Sequence, residues 1–252
     1  MKIKLWDKTP LFDPIYRQEE PSIEPFLVQG SDSCMIVCAG GGYVTRCEYE
    51  AYPVAEWLQK IGINAFVLHY RVAPYKAPCM LADLQRAICL IRHNAHQWGI
   101  SRDKIGAIGF SAGGHLVSSA CAHRFHGLER DEVDREDHRL NAAVLCYPVI
   151  TMGQGTHQAT CDLLTGGDIA LREAYSSENQ VDFGFTPPCF IFHTFADELV
   201  PATENSIAFA VALNRAGVAC ELHVYAEGAH GLAMAGPWVG PCEQWLTNRK
   251  FR

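Results

Sequence analysis

The sequence of 252 residues has no uninterrupted apolar run long enough to cross a bilayer, and its first residues, Met1 to Asp7, contain no apolar signal-peptide core. Basic residues are also outnumbered: 21 Lys and Arg stand against 28 Asp and Glu, which gives a net charge of -7 and a pI near 5.9. Nucleic acids and anionic membranes are polyanions that such a surface repels. We therefore expect a soluble protein with no nucleic-acid or membrane partner, which acts on a neutral or small molecule.

No Cys-x-x-Cys pair occurs, although the chain contains 11 cysteines. Their number is odd, and most of them lie inside apolar runs, as Cys38, Cys146 and Cys189 do, which is typical of buried free thiols. A chain of this size buries a stable core without disulfides. The cysteines therefore indicate a reducing, cytoplasmic location.

Metal and nucleotide signatures are missing as well. His93 and His96 form an H-x-x-H pair, but they lack the glutamate of the H-E-x-x-H zinc arrangement. The glycine run from Cys38 to Tyr43 matches neither G-x-G-x-x-G nor the P-loop pattern. We expect no metal and no cofactor.

Short apolar runs do alternate with longer amphipathic stretches, and this alternation predicts an α/β fold: a mostly parallel central sheet with helices on both faces. The predicted strands are residues 35–38, 65–69, 105–110, 142–146, 189–193 and 221–225, and the predicted helices are 49–61, 80–98, 112–123, 203–216 and 242–247. We assign residues 34–252 to one catalytic domain. Residues 1–33 contain several prolines and are predicted as an irregular lead-in with room for an edge strand.

Two further segments lack such periodicity. Residues 129–137 are densely charged with both signs, which indicates a solvated surface segment. Residues 151–180 are longer than an ordinary connection, so they are a candidate lid or substrate loop.

Ser111 stands where a predicted strand turns into a predicted helix, within Gly109-Phe110-Ser111-Ala112-Gly113. This is the context of the G-x-S-x-G nucleophile elbow, whose glycines prevent collisions in a very tight turn. Ser111 is the predicted nucleophile, and the Ala112 amide at the helix N-terminus can stabilise a developing negative charge.

Three consecutive glycines, from Gly40 to Gly42, follow the first strand of the catalytic domain. Backbone N–H groups can point at a tetrahedral oxyanion only where no Cβ intrudes. Gly41 and Gly42 are therefore predicted as oxyanion donors, with a flexible turn as the structural alternative.

A catalytic serine needs a base, and after an elbow of this type the chain order is serine, acid, histidine. His193 and His223 fall within predicted strands, whereas His230 lies in a glycine-flanked loop after the last strand and is the predicted base. Asp197 and Glu198 both follow a strand at its carboxyl end, where catalytic groups of such sheets collect. Each is a candidate acid, and Asp197 is also suited to cap a helix.

Five motifs in this order resemble the esterase and lipase branch of the α/β hydrolases, which includes bacterial acetyl xylan esterases and acetyl esterases. They are residues 38–43, 70–74, 109–116, 194–201 and 228–231. The resemblance implies the α/β-hydrolase fold, a triad of Ser111, Asp197 and His230, with Asp197 preferred to Glu198, and an oxyanion hole formed by the glycine loop and Ala112. Ala39 departs from the pattern, because members of this branch often have proline there.

These observations predict a serine esterase that hydrolyses short-chain acyl esters through an acyl-enzyme on Ser111. O-acetyl groups on small sugars or xylo-oligosaccharides are implied by the resemblance alone. An amide or peptide bond hydrolase, similar to an arylformamidase or a dipeptidyl peptidase, would use the same triad. A catalytically inactive ligand-binding relative is the alternative from another class, and the sequence leaves acyl chain length and a homo-oligomeric state open.

Overall fold

The computed structural model describes residues 1–124 and 131–252, and the strands of these residues form one eight-stranded sheet. The strands are β1 (Ile3–Lys4), β2 (Ser22–Phe26), β3 (Cys34–Cys38), β4 (Asn64–His69), β5 (Ile105–Phe110), β6 (Ala142–Cys146), β7 (Cys189–Thr194) and β8 (Cys220–Tyr225). Their order across the sheet is β1-β2-β4-β3-β5-β6-β7-β8. Strands β3 to β8 are parallel to one another, and β1 and β2 are antiparallel to their neighbours. This is the predicted mostly parallel sheet, and each of the six predicted strands agrees with the structure to within one residue at either end.

The central strands are buried on both faces, which explains why they appear in the sequence as continuous apolar runs. In β3 all five residues are fully buried, yet their side chains alternate between the two faces of the sheet. Cys34, Ile36 and Cys38 belong to the core on one face, and Met35 and Val37 belong to the core on the other. The sheet therefore lies between two apolar layers.

Helices supply these layers. They are α1 (Tyr52–Lys60), α2 (Cys79–His93), α3 (Ala95–Trp98), α4 (Ala112–Ala122), α5 (Gln158–Thr165), α6 (Ile169–Ala174), α7 (Ala208–Arg215) and α8 (Val239–Asn248). Helices α2, α4 and α7 pack on one face of the sheet, and α1 and α8 pack on the other. Among the described residues, no helix combines the length and apolar character needed to span a membrane.

The predicted lead-in, residues 1–33, contains more regular structure than expected, because both β1 and β2 join the sheet. A buried ion pair anchors this segment to the helical layer. The guanidinium of Arg71 lies 2.7 Å from the carboxylate of Asp83 in α2 and also donates a hydrogen bond of 2.7 Å to the carbonyl of Pro10.

The charged run at residues 129–137 differs from the prediction where the structure describes it. Asp131 and Asp134 bind the guanidinium of Arg86 at 2.6 and 2.8 Å, and Asp134 is buried. Glu129 and Arg130 lie outside the described residues. The expectation of a fully solvated segment is therefore wrong for Asp134, because Arg86 supplies the partner that a buried carboxylate requires.

The cysteines behave as structural thiols, as predicted. All of them are free, and all are buried except Cys47 and Cys220, which are half-buried.

Candidate active site

The candidate site lies where the carboxyl ends of the parallel strands meet. The glycine loop follows β3, Ser111 follows β5, Asp197 lies three residues after β7, and His230 lies five residues after β8. Parallel strands present their carboxyl ends at one edge of the sheet, so residues far apart in sequence converge there.

Ser111 occupies a strained turn between β5 and α4. Its backbone has φ 52° and ψ -118°, a conformation that residues other than glycine rarely adopt. The flanking glycines are required by close backbone contacts. A Cβ at Gly109 would lie 2.3 Å from the carbonyl oxygen of Gly113, and a Cβ at Gly113 would lie 2.1 Å from that of Cys38. The elbow thus has the geometry that its sequence predicts.

Ser111, His230 and Asp197 form a continuous hydrogen-bonded chain. His230 Nε2 lies 2.8 Å from Ser111 Oγ, and His230 Nδ1 lies 2.6 Å from Asp197 Oδ2. Because a carboxylate only accepts, the Nδ1 atom carries the proton, and Nε2 is left to accept the serine hydroxyl. Glu198, the other candidate acid, is exposed and takes no part in these hydrogen bonds.

Asp197 is buried and saturated with hydrogen-bond donors. Burial by itself would raise the pKa of this carboxyl, but hydrogen bonds from His193, His230 and the amide of Val200 outweigh it, and the pKa of Asp197 falls well below its ordinary value. His193 Nε2 lies 3.2 Å from Asp197 Oδ2, and its Nδ1 lies 2.6 Å from the hydroxyl of Ser206. His193 therefore lies in a strand, as predicted, and both of its ring nitrogens have hydrogen-bond partners, one of which is Asp197.

The predicted oxyanion donors lie beside Ser111. Gly41 and Gly42 both have positive φ, at 126° and 63°. This conformation lies outside regular secondary structure, so their amides do not take part in helix or strand hydrogen bonds. Within the described residues, no acceptor binds the amides of Gly41, Gly42 or Ala112. Unpaired N–H groups beside a serine hydroxyl are able to receive a negatively charged oxygen.

A cavity of about 280 Å³ opens over the serine. It is lined by Gly41, Gly42, Val44, Cys47, Tyr49, Glu50, Ser111, His157, Ala159, Leu199 and His230. Ser111, His230 and the glycine loop therefore all face the same cavity.

The segment 151–180 forms part of the cavity wall through His157 and Ala159. Its apparent irregularity in the sequence reflects two short helices, α5 and α6, that are too brief to show a clear period. Burial lowers the pKa of His157, and the neighbouring His230 acts in the same direction. The Nδ1 atom of His157 lies 2.8 Å from the hydroxyl of Thr160.

Glu50 and Tyr147 are site residues that the sequence analysis did not single out. Glu50 Oε1 accepts a hydrogen bond of 2.8 Å from the Tyr147 hydroxyl, and the Tyr147 ring packs edge-on against His230 at 4.9 Å. Burial raises the pKa of Glu50, against the hydrogen bonds from Tyr147 and the Gly40 amide. The two residues are 97 positions apart, and no local pattern in the sequence signals such a contact.

Comparison with known proteins agrees with this architecture. The BD-FAE family model matches residues 25–213, which is well over half of the chain. The chain belongs to the BD-FAE family. A solved structure of an acetyl ester-xyloside bifunctional hydrolase from Caldicellulosiruptor lactoaceticus superposes on this BD-FAE chain with a TM-score of 0.95 at 40% identity, covering 100% of this chain and 97% of that one.

Two curated relatives of this BD-FAE chain are longer proteins. Endo-1,4-beta-xylanase B from Butyrivibrio fibrisolvens is 38% identical over 80% of this chain, and the acetylxylan esterase of Xylanibacter ruminicola is 33% identical over 86% of it. The match covers only 33% and 44% of those two proteins, so this chain spans less than half of their length. The prediction of an esterase-type α/β hydrolase that resembles acetyl xylan esterases is confirmed.

Proposed function

We propose that this protein is a serine esterase that removes short acyl groups, with O-acetyl groups on small sugars or xylo-oligosaccharides as its substrates and Ser111 as the nucleophile. The observation that carries the proposal is the hydrogen-bonded chain from Ser111 through His230 to Asp197, which faces a cavity next to Gly41 and Gly42.

The geometry supports a two-step acyl transfer. His230 Nε2 takes the hydroxyl proton while Ser111 Oγ forms a bond to the ester carbonyl carbon. The tetrahedral intermediate then breaks its bond to the leaving alcohol, which receives the proton from His230, and the acyl group stays on Ser111. Water, deprotonated by the same His230, attacks this acyl-enzyme, and the acid is released with Ser111 protonated again.

Asp197 and the glycine loop stabilise the two charges that this transfer creates. The depressed pKa of Asp197 keeps its carboxylate ionised, so it stabilises the imidazolium of His230 and orients the ring. The amides of Gly41, Gly42 and Ala112 would receive the negative oxygen of the intermediate, since no described residue competes for them.

The small cavity supports a short acyl group, and the names of the relatives support an acetylated sugar as its carrier. About 280 Å³ lies at the lower end of ligand pockets, which is enough for a short acyl group beside Ser111. The relatives include an acetylxylan esterase and an acetyl ester-xyloside hydrolase. The acidic net charge favours neutral substrates over anionic ones.

The test is a substrate panel measured on the native chain and on the Ser111→Ala variant. We expect acetylated xylose and xylo-oligosaccharides to turn over faster than butyryl or feruloyl esters, and Ser111→Ala to lose several orders of magnitude in kcat. The matched control is Ser31→Ala, whose serine lies in a surface turn outside the cavity. A fluorophosphonate probe should label the native chain and the control but not Ser111→Ala.

Faster turnover of an aminoacyl anilide than of any ester would instead identify an amide hydrolase. Absence of both turnover and probe labelling would identify a ligand-binding protein. Substantial activity in Ser111→Ala would reject the nucleophile.

A further inference from the structure

Glu50 is a buried carboxylate in the wall of the catalytic cavity. It ends a short turn, Glu48–Glu50, that precedes α1, and it is 2% exposed. Within the part of the chain that the structure describes, Glu50 forms no salt bridge. A buried carboxylate without a cation is costly, so its hydrogen bonds have to compensate for lost hydration.

One oxygen of Glu50 holds the glycine loop. Oε2 accepts a hydrogen bond of 2.8 Å from the amide of Gly40, the residue immediately before the two candidate oxyanion donors. The loop packs tightly at this point, because a Cβ on Gly40 would lie 2.6 Å from Glu50 Oε2 and 3.0 Å from Ser111 Cβ. Glu50 therefore holds the loop at the point where it passes the serine.

The other oxygen connects to the loop that carries the histidine. Oε1 accepts from the hydroxyl of Tyr147, and this hydroxyl in turn accepts a hydrogen bond of 2.9 Å from the amide of Ala233. The ring of Tyr147 packs edge-on against the ring of His230. Tyr147 thus contacts the histidine and the backbone three residues after it.

We propose that Glu50 is a positioning residue that ties the oxyanion loop, through Gly40, to the His230 loop, through Tyr147. This inference rests on the proposed function, because it assigns Glu50 to the spacing between the oxyanion donors and the base around Ser111. Glu50 does not touch the reacting atoms. Its effect is geometric, and small displacements of catalytic groups are costly: a misplacement of about 1 Å lowers rates by about 100-fold.

Two substitutions break the link at different points. Glu50→Met keeps about the length of the side chain but has no oxygen, so it accepts a hydrogen bond from neither Gly40 nor Tyr147. Tyr147→Phe keeps the ring against His230 and leaves the Gly40 contact intact, while it removes the hydroxyl that joins Glu50 to Ala233. The matched controls are Glu48→Met, two residues away and exposed, and Tyr52→Phe, whose hydroxyl binds Glu24 outside the cavity.

We expect both variants to lower kcat on an acetyl ester by about 10- to 100-fold, with KM changed by less than about threefold. The second readout is the inhibition constant of a trifluoromethyl ketone, to which a catalytic serine adds reversibly to give a tetrahedral oxyanion. This constant should rise by the same factor as kcat/KM falls, because both report stabilisation of the oxyanion. The double variant should lose little more than the more impaired single variant, since both changes break the same connection.

Rates within twofold of the controls would overturn the proposal. So would a fall in kcat that leaves the inhibition constant unchanged, or one accompanied by a loss of folded protein in the thermal melt, because a purely structural role gives those results. The proposed function and the role of Glu50 can fail separately. Full activity in Ser111→Ala would remove the proposed function, whereas an inactive Ser111→Ala together with an active Glu50→Met would remove only the role of Glu50.

Discussion

Replacing Asp197 by Asn probes the hydrogen-bond polarity of the site. The two oxygens of Asp197 receive N–H groups from both sides: Oδ1 from the amides of Leu199 and Val200 at 3.0 and 2.9 Å, and Oδ2 from His230 at 2.6 Å and His193 at 3.2 Å. An asparagine offers one oxygen and one NH₂ group. Whichever way the amide is turned, the NH₂ group therefore meets N–H donors.

The backbone amides cannot change their polarity, whereas a histidine can exchange its tautomer. We therefore expect the asparagine oxygen to stay on Leu199 and Val200, and its NH₂ group to donate to Nδ1 of His230. The proton of His230 then moves to Nε2, which can no longer accept the hydroxyl of Ser111. Loss of the correct tautomer lowers kcat by about 10⁴ in a serine triad, which corresponds to about 5.4 kcal/mol in the activation barrier.

The same substitution changes how stability depends on pH. The folded-state pKa of Asp197 is depressed, so its ionisation stabilises the fold above the unfolded-state pKa of about 3.9, and this contribution is lost as the pH falls through the folded-state value. Asp197→Asn removes the titrating group. The free energy of unfolding of the native chain should thus exceed that of the variant most at neutral pH, and the difference should shrink below about pH 4.

Hydrolysis of p-nitrophenyl acetate near neutral pH gives kcat, and urea unfolding at pH 7, 5 and 3 gives stability. Glu198→Gln is the matched control, because it removes the adjacent exposed carboxylate, and we expect it to stay within about twofold of the native rate. A kcat for Asp197→Asn within tenfold of the native value would refute the tautomer argument. A stability difference that is independent of pH would refute the linkage argument.

Two further substitutions test the packing that supports the site. Gly113→Ala would place a Cβ 2.1 Å from the carbonyl of Cys38 and should lower the free energy of unfolding, measured in urea, by about 1–3 kcal/mol. Gly240→Ala in α8 meets no atom within 4 Å and should be neutral or stabilising. Equal effects of the two substitutions would contradict the close contact at Gly113. Asp83→Ala leaves the buried guanidinium of Arg71 without its carboxylate and should cost about 3–5 kcal/mol, and a loss below about 1 kcal/mol would show that the pair is not needed.

Most of the fold could be predicted because its signals are local. Buried parallel strands appear as short apolar runs, and long amphipathic helices such as α2 show a clear period. The predictions were weakest where elements are short. Helices α5 and α6 have eight and six residues, and both lie in the segment 151–180, for which the sequence shows no clear period. The sequence leaves room for an edge strand in residues 1–33 but does not locate β2, because this strand contains Pro25, pairs antiparallel with its neighbours and has only Ser22 and Ile23 buried.

The candidate site was predictable where chemistry needs an unusual residue type in an unusual place. Glycines around Ser111, three glycines after β3 and a glycine-flanked His230 all mark backbone that must turn sharply, and the structure brings these segments together around one cavity. Asp197 and Glu198 were not distinguishable from their positions alone. Which of them reaches His230 depends on the direction in which the loop presents each side chain, and the amides of Leu199 and Val200 set that direction for Asp197.

The sequence by itself determined the order of strands and helices, the elbow at Ser111 and the positions from which an acid and a base could come, because these depend on neighbours within a few residues. Only the tertiary structure decided which side chains meet across the sheet edge: Asp197 with two histidines, and Glu50 with Gly40 and Tyr147. Such contacts join residues up to 119 positions apart, as Ser111 and His230 are, and their distances are set by the packing of the whole sheet.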